Sequence, residues 1–135
     1  IRTPEVDKLA STVARLPQVR DVLVSRQRAM GEQGGVVMEG RDIGSVVFPD
    51  ADVKIYLDAS AEERARRRAH DTAHAGSQAG QAAVAEAIQA RDLSDKTRAA
   101  SPLALAPGAI HIDTTGMPIE AVVEHVLALV TSKLG

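Results

Sequence analysis

The chain has 135 residues, 44% of them apolar and 25% charged, with a formal net charge of −2, which suits one globular domain or part of one. One Tyr, one Phe and a negative balance argue against a general nucleic-acid surface. No apolar run reaches the roughly 18–20 residues of a membrane span, and zero cysteines exclude disulfides, thiolate metal sites and a cysteine nucleophile. The lack of disulfides and of a basic-then-apolar leader favours a cytoplasmic protein.

In chain order, Pro4 to Leu16 reads as a helix with Val6, Leu9, Val13 and Leu16 on one face and Thr3 as N-cap before the proline. Pro17 interrupts it, and a second helix runs from about Gln18 to Met30 with Val19, Val22, Leu23 and Arg26 on its inner side. A Gly31–Gly35 turn leads to a strand Val36–Met38 that Gly40 ends. A loop with Gly44, Pro49 and Asp50 precedes a strand Val53–Leu57. Ser60 and Glu63 have the spacing of a capping box, so a helix starts at Ala61 and reaches about Ala75. The small, polar segment Ala75–Gly80 reads as a mobile loop, and another helix spans about Gln81 to Arg98. Ser101–Gly108, with two prolines, crosses to a last strand, Ala109–Ile112. Pro118 then opens a final helix whose residues Ile119, Val122, Val123, Val126, Leu127, Val130 and Leu134 follow a 3.6-residue period. Strands alternating with helices predict an α/β fold, a parallel sheet flanked by helices. Three strands make that sheet narrow, like the later part of a doubly wound domain.

Three constellations could carry chemistry. Arg41 and Asp42 follow the Val36–Met38 segment directly, at the carboxyl end where open α/β sheets bind ligands. They could hold a charged small molecule or pair with each other. Arg91, Asp95 and Arg98 share one helical face, either as a solvated ion-pair ladder or as a clamp on sugar hydroxyls and a phosphate. Arg64, Arg66, Arg67 and Arg68 crowd one turn and a half, where a bound anion would relieve their repulsion. The alternative is a basic surface helix offset by Glu62, Glu63 and Asp71. Twelve of the sixteen basic residues are Arg, the better bidentate partner for phosphate, although a GC-rich coding bias accounts for the same excess. His70 and His74 lie four apart without the Glu of HExxH or an evident third ligand, so a solvated face is the better reading. His111 and His125 read as structural. No hydrolase elbow G-x-S-x-G occurs, and no phosphate-wrapping GxxxxGK[ST].

Taken together, IRTPEV at Ile1–Val6, PQVR at Pro17–Arg20, QR at Gln27–Arg28, EGRDIGSVVFPDADVKIYLDAS at Glu39–Ser60, EERARRR at Glu62–Arg68, RDLSDKTRAASPL at Arg91–Leu103 and AIHIDTT at Ala109–Thr115 resemble the bacterial cytidylate kinases. These are nucleoside monophosphate kinases. The match runs in order across essentially the whole chain. The resemblance implies a P-loop kinase-like fold and transfer of a phosphoryl group from ATP, with Mg²⁺, to CMP or dCMP. It implies that Ser11, Arg20 and Asp42 recognise the cytosine base and that Arg41 lies near the α-phosphate. Arg91 and Asp95 would hold the ribose, and Arg98 would contact the nucleotide from the same helix. Arg64, Arg67 and Arg68 would belong to the lid over ATP, with Arg64 near the adenine. Arg41, Arg68 and Arg98 would be the catalytic cations, and Glu39 would orient a Mg²⁺-bound water.

Against that family the chain is expected to lack the first strand, the phosphate-binding loop and much of the monophosphate-binding insertion. Residues 1–30 would be the end of that insertion, 31–58 and 101–135 the core, and 60–100 the lid region with its following helix. The missing strand would lie mid-sheet, between those at Val36 and Val53, leaving two edges unpaired. The partners expected are therefore CMP or dCMP, ATP, and an N-terminal segment or second chain that completes the sheet, with no nucleic acid and no membrane. The alternative is a non-catalytic nucleotide-binding or self-associating module derived from such a kinase.

Overall fold

The computed structural model describes residues 3–70, 81–97 and 104–135. Helix α1 spans Pro4–Val13, and Thr3 Oγ1 accepts from the Val6 amide at 3.4 Å, so the predicted cap forms. α1 stops short of Leu16 because the residue before a proline is pushed out of helical geometry: Leu16 has ψ 120°. Pro17 then sits in the first turn of α2, Pro17–Gly31. The tight Gly34–Gly35 turn uses two residues with φ of 70° and 65°, the left-handed region that glycine tolerates.

Two expectations fail at this point. Val36–Met38 is irregular and pairs with no strand among the described residues, and Val37 is fully exposed. Strands exist by virtue of their neighbours' amides and carbonyls, and none of the described strands lies alongside. The loop after it, expected to be irregular, contains a wide π turn at Ile43–Val47, closed by Phe48 N–H donating to Ile43 O at 2.7 Å. Arg28 fastens this turn to α2, its Nη2 donating to Val46 O at 2.7 Å and its Nε to Val47 O at 3.1 Å. Gly31 makes the close approach possible, since a Cβ there would meet the Phe48 ring at 2.5 Å.

Strands β1 (Ile55–Asp58) and β2 (Ile110–Asp113) pair in parallel with Ile55 opposite Ile110 and Asp58 opposite Asp113. The crossover between them carries α3 (Ala61–His70) and α4 (Gln81–Thr97), which pack on one another. α5, Ile119–Leu134, follows β2. The predicted capping box forms, with the Glu63 amide donating to Ser60 Oγ at 3.2 Å. The fold is thus α/β, with a parallel sheet and helices, and it holds two strands among the described residues rather than three. The end of α3 beyond His70, the Ala75–Gly80 loop and the Ser101–Leu103 part of the crossing fall outside the described residues.

The core is small: Val47, Ala59, Ala65, Ala106 and Ile112 are its buried apolar residues among those described. Against it stand exposed Val6, Leu9, Val13 and Leu16, the predicted inner face of α1, and Ile119, Val123, Leu127 and Leu134 on α5. On α2 the predicted inner residues Val22 and Leu23 are exposed, and the buried residue is Arg20. Two acceptors, Ala14 O and Asp42, hold that guanidinium inside, beside half-buried Val19 and Val24.

Candidate functional site

A cleft of about 250 Å³ opens between α1, α2, the loop before the π turn and α4. α1 contributes Ser11, α2 contributes Arg20 and Gln27, the loop contributes Arg41 and Asp42, and α4 contributes Arg91. Of the seven residues that the sequence assigns to the monophosphate, five therefore line one hollow. Asp95 lies on α4 one turn beyond Arg91, and Arg98 falls outside the described residues.

Arg20 organises the cleft. Its Nη1 donates to Ala14 O at 3.2 Å, capping the carboxyl end of α1, and its Nη2 is paired with Asp42 Oδ2. The two side chains are 10% and 12% exposed, so the pair is nearly out of water, where losing one partner strands a charge. Arg20 Nε is buried and has no hydrogen-bond partner among the described residues. An unmet buried donor costs about 1–3 kcal/mol. A carboxylate offers about four lone-pair positions, so Asp42 can still accept from a ligand while it holds Arg20. The cleft is thus lined by a guanidinium, a carboxylate and the hydroxyl-bearing Ser11. Arg41 and Arg91 add positive charge at the same hollow.

The arginines of α3 do not converge on one point. Arg64 pairs with Asp92 of α4 and donates from Nε to Ala59 O at 3.1 Å. Arg67 bridges α3 to the end of β2, reaching Thr114 O at 2.6 Å, Thr114 Oγ1 at 3.0 Å and Glu63 Oε1 at 2.8 Å. Arg68 is paired with Asp7 of α1. Arg66 forks onto both Glu63 oxygens at 2.8 Å. The hydrogen bond from Arg66, with a further one from Arg67, pulls the Glu63 carboxyl down to about 2. The crowding of like charge on α3 is therefore offset inside the chain, by Glu63, Asp92 and Asp7. An external anion is not required to relieve it, which corrects that part of the sequence argument.

Asp92 is the residue that sequence reasoning passed over. Its two oxygens accept from Arg41 Nη1, at 3.1 Å, and from Arg64 Nη1. Partial burial lifts its carboxyl, but the hydrogen bonds from Arg64 and Arg41 outweigh that and hold it below the usual carboxylate value. Its position beside Arg91 was the available signal, since neighbouring helical positions face different ways. Glu39 is exposed, and no group of three metal-ligating side chains occurs among the described residues. His70 is exposed at the end of α3, and His74 falls outside the described residues. His111 is exposed, with Nε2 3.2 Å from Asp58 Oδ2. No helix among the described residues is long and apolar enough to cross a membrane.

The described residues thus form an α/β crossover with an arginine-lined cleft beside its helices. Comparison with known proteins makes this specific. The family model for cytidylate kinase matches residues 1–132, and the chain belongs to that family. It is 51% identical over 134 residues to a cytidylate kinase of Desulfitobacterium hafniense, covering 99% of this chain and 58% of that relative. It is 53% identical over 132 residues to one of Pelotomaculum thermopropionicum, covering 98% and 58%. With one of Pseudomonas paraeruginosa it shares 54% over 127 residues, covering 94% and 56%. The chain thus spans about three-fifths of the length of these relatives.

Proposed function

We propose that this chain is the C-terminal three-fifths of a kinase that transfers a phosphoryl group from ATP to CMP or dCMP, giving ADP and CDP or dCDP. In this reading it supplies the monophosphate site and the root of the ATP lid. A phosphate-binding loop would come from an N-terminal segment or a second chain that also completes the sheet. The observation that carries the reading is the meeting of Ser11, Arg20, Arg41, Asp42 and Arg91 in one cleft, with a buried donor still lacking an acceptor.

Cytosine presents an amino donor, a ring-nitrogen acceptor and a carbonyl acceptor. Asp42 accepts from the amino group, and Arg20 and Ser11 donate to the other two. Arg41 meets the α-phosphate, Arg91 and Asp95 the ribose hydroxyls, and Arg98 the nucleotide from the same helix. An α-phosphate oxygen of CMP attacks the γ-phosphorus of ATP; the new P–O bond forms as the bond to the β–γ bridging oxygen breaks, and ADP leaves. Such transfer depends on positioning and on neutralising charge spread over the phosphoryl oxygens. No general base is needed, because the attacking phosphate is already anionic. Arg68 would exchange Asp7 for the transferred group as the lid closes, which excludes water. Arg67 would stay on Thr114 as the anchor of α3. Glu39 would hold a water of the Mg²⁺ that accompanies ATP, a cation that needs few protein ligands and would neutralise phosphate charge.

A coupled assay for ADP release tests the proposal. The complete polypeptide should turn over with CMP and dCMP and poorly with UMP, and the 135-residue chain alone should not turn over. Robust turnover by the chain alone would refute its incompleteness. Equal rates with UMP would refute the assignment of the base site.

A further inference from the structure

We infer that Asp92 is a positioning residue that holds Arg41 and Arg64 at a fixed separation, and so ties the monophosphate cleft to the root of the lid helix. The inference rests on the kinase reading above, but the contacts behind it do not.

Three elements that are far apart in sequence meet at this one carboxylate. Arg41 belongs to the loop that lines the cleft, Arg64 to the first turns of α3, and Asp92 to α4. Successive residues of a helix point about 100° apart, so α4 gives Arg91 to the cleft and Asp92 to the two guanidinium groups. Each carboxylate oxygen serves one arginine. A neutral amide has one acceptor oxygen and could serve only one of them well. Asp92 is 18% exposed, while Arg41 and Arg64 are 36% and 33% exposed, so the carboxylate is the sheltered centre and its partners reach toward solvent and ligand. Arg64 is held a second time by Ala59 O at 3.1 Å. It is therefore fixed near the base of α3, whereas Arg68, further along, is held by α1. Asp92 thus fixes the geometry that a monophosphate and the adenine end of ATP would meet.

The test uses Asp92→Asn and Asp92→Glu in the complete polypeptide, each also combined with Arg64→Ala. Asp92→Asn should raise KM for CMP and KM for ATP by about fivefold each, the scale of a partly exposed ion pair. Asp92→Glu, which keeps the charge, should recover most of that loss. In the Arg64→Ala background Asp92→Asn should no longer change KM for ATP, while its effect on CMP persists. Values within twofold of the parent, or an ATP effect that survives removal of Arg64, would overturn the inference. A readout independent of turnover is the rotation of the Arg41 and Arg64 guanidinium groups, followed by ¹⁵N NMR without nucleotide. Both should be hindered in the parent and faster in Asp92→Asn; no difference would overturn the inference even in a protein that phosphorylates nothing. Absence of turnover in the parent would count against the kinase reading alone.

Discussion

The cleft and helix α5 make opposite use of the same short chain. In the cleft, α1, α2, the Asp42 loop and α4 turn polar groups toward one another, and a guanidinium is buried against its carboxylate. On α5, an unbroken apolar stripe from Ile119 through Val123 and Leu127 to Leu134 is more than half exposed, and no residue of the helix is buried. The described residues gather a polar cleft from within, but they leave an apolar face uncovered.

The most damaging way to break this contrast is at Asp42. Asp42→Ala leaves Arg20 charged and buried without its partner, at a cost of about 3–5 kcal/mol. It should also weaken CMP binding roughly 100-fold while leaving ATP binding nearly unchanged. Denaturant unfolding and nucleotide titration read the two effects, and equal losses for CMP and ATP would overturn the base assignment. On the other side, Leu127→Ala should change the 135-residue chain by less than about 0.5 kcal/mol, since the side chain is 58% exposed. In the complete polypeptide the same change should cost about 2–5 kcal/mol if the stripe is covered there. Equal small effects in both would mean that α5 stays bare.

At Gly31, the last residue of α2, an added methyl would collide with the Phe48 ring. Gly31→Ala should cost about 1–3 kcal/mol and loosen the π turn that presents Arg41 and Asp42, so thermal stability and CMP affinity should fall together. Ser11→Ala should be mild, about 0.5–1.5 kcal/mol of CMP affinity by titration with no loss of stability. Acid should act late on α3. The Glu63 carboxyl is depressed to about 2 by Arg66 and Arg67, so its contribution is complete above the ordinary carboxylate range and is lost as pH falls toward that value. Glu63→Gln should remove this low-pH component of an acid unfolding curve.

Local signals made much of the molecule readable. The Thr3 cap, the Ser60–Glu63 box and the prolines at 4, 17 and 118 punctuate the chain, and each helix begins within about a residue of where they place it. The cleft was readable through the family resemblance, which implied Ser11, Arg20, Arg41, Asp42 and Arg91 as one set, and the structure brings them to one hollow. What escaped was long-range. The Val36–Met38 strand depends on a neighbour that its own residues do not specify, and the π turn depends on Arg28 and Gly31 of another element. The pairs Asp7–Arg68 and Asp92–Arg64 link residues 61 and 28 positions apart. Nothing in the spacing of the α3 arginines announces those partners; proximity in sequence pointed to Glu62, Glu63 and Asp71, of which Glu63 does pair, with Arg66 and Arg67.

The most direct measurement is the ¹⁵N resonance of Arg20 Nε in the complete polypeptide, followed as CMP is added. The account predicts a saturable downfield shift of that N–H as the buried donor gains an acceptor, one that Asp42→Ala abolishes and that UMP at the same concentration reproduces weakly. An Arg20 signal that stays in place while CMP binds would put the base elsewhere and contradict the account.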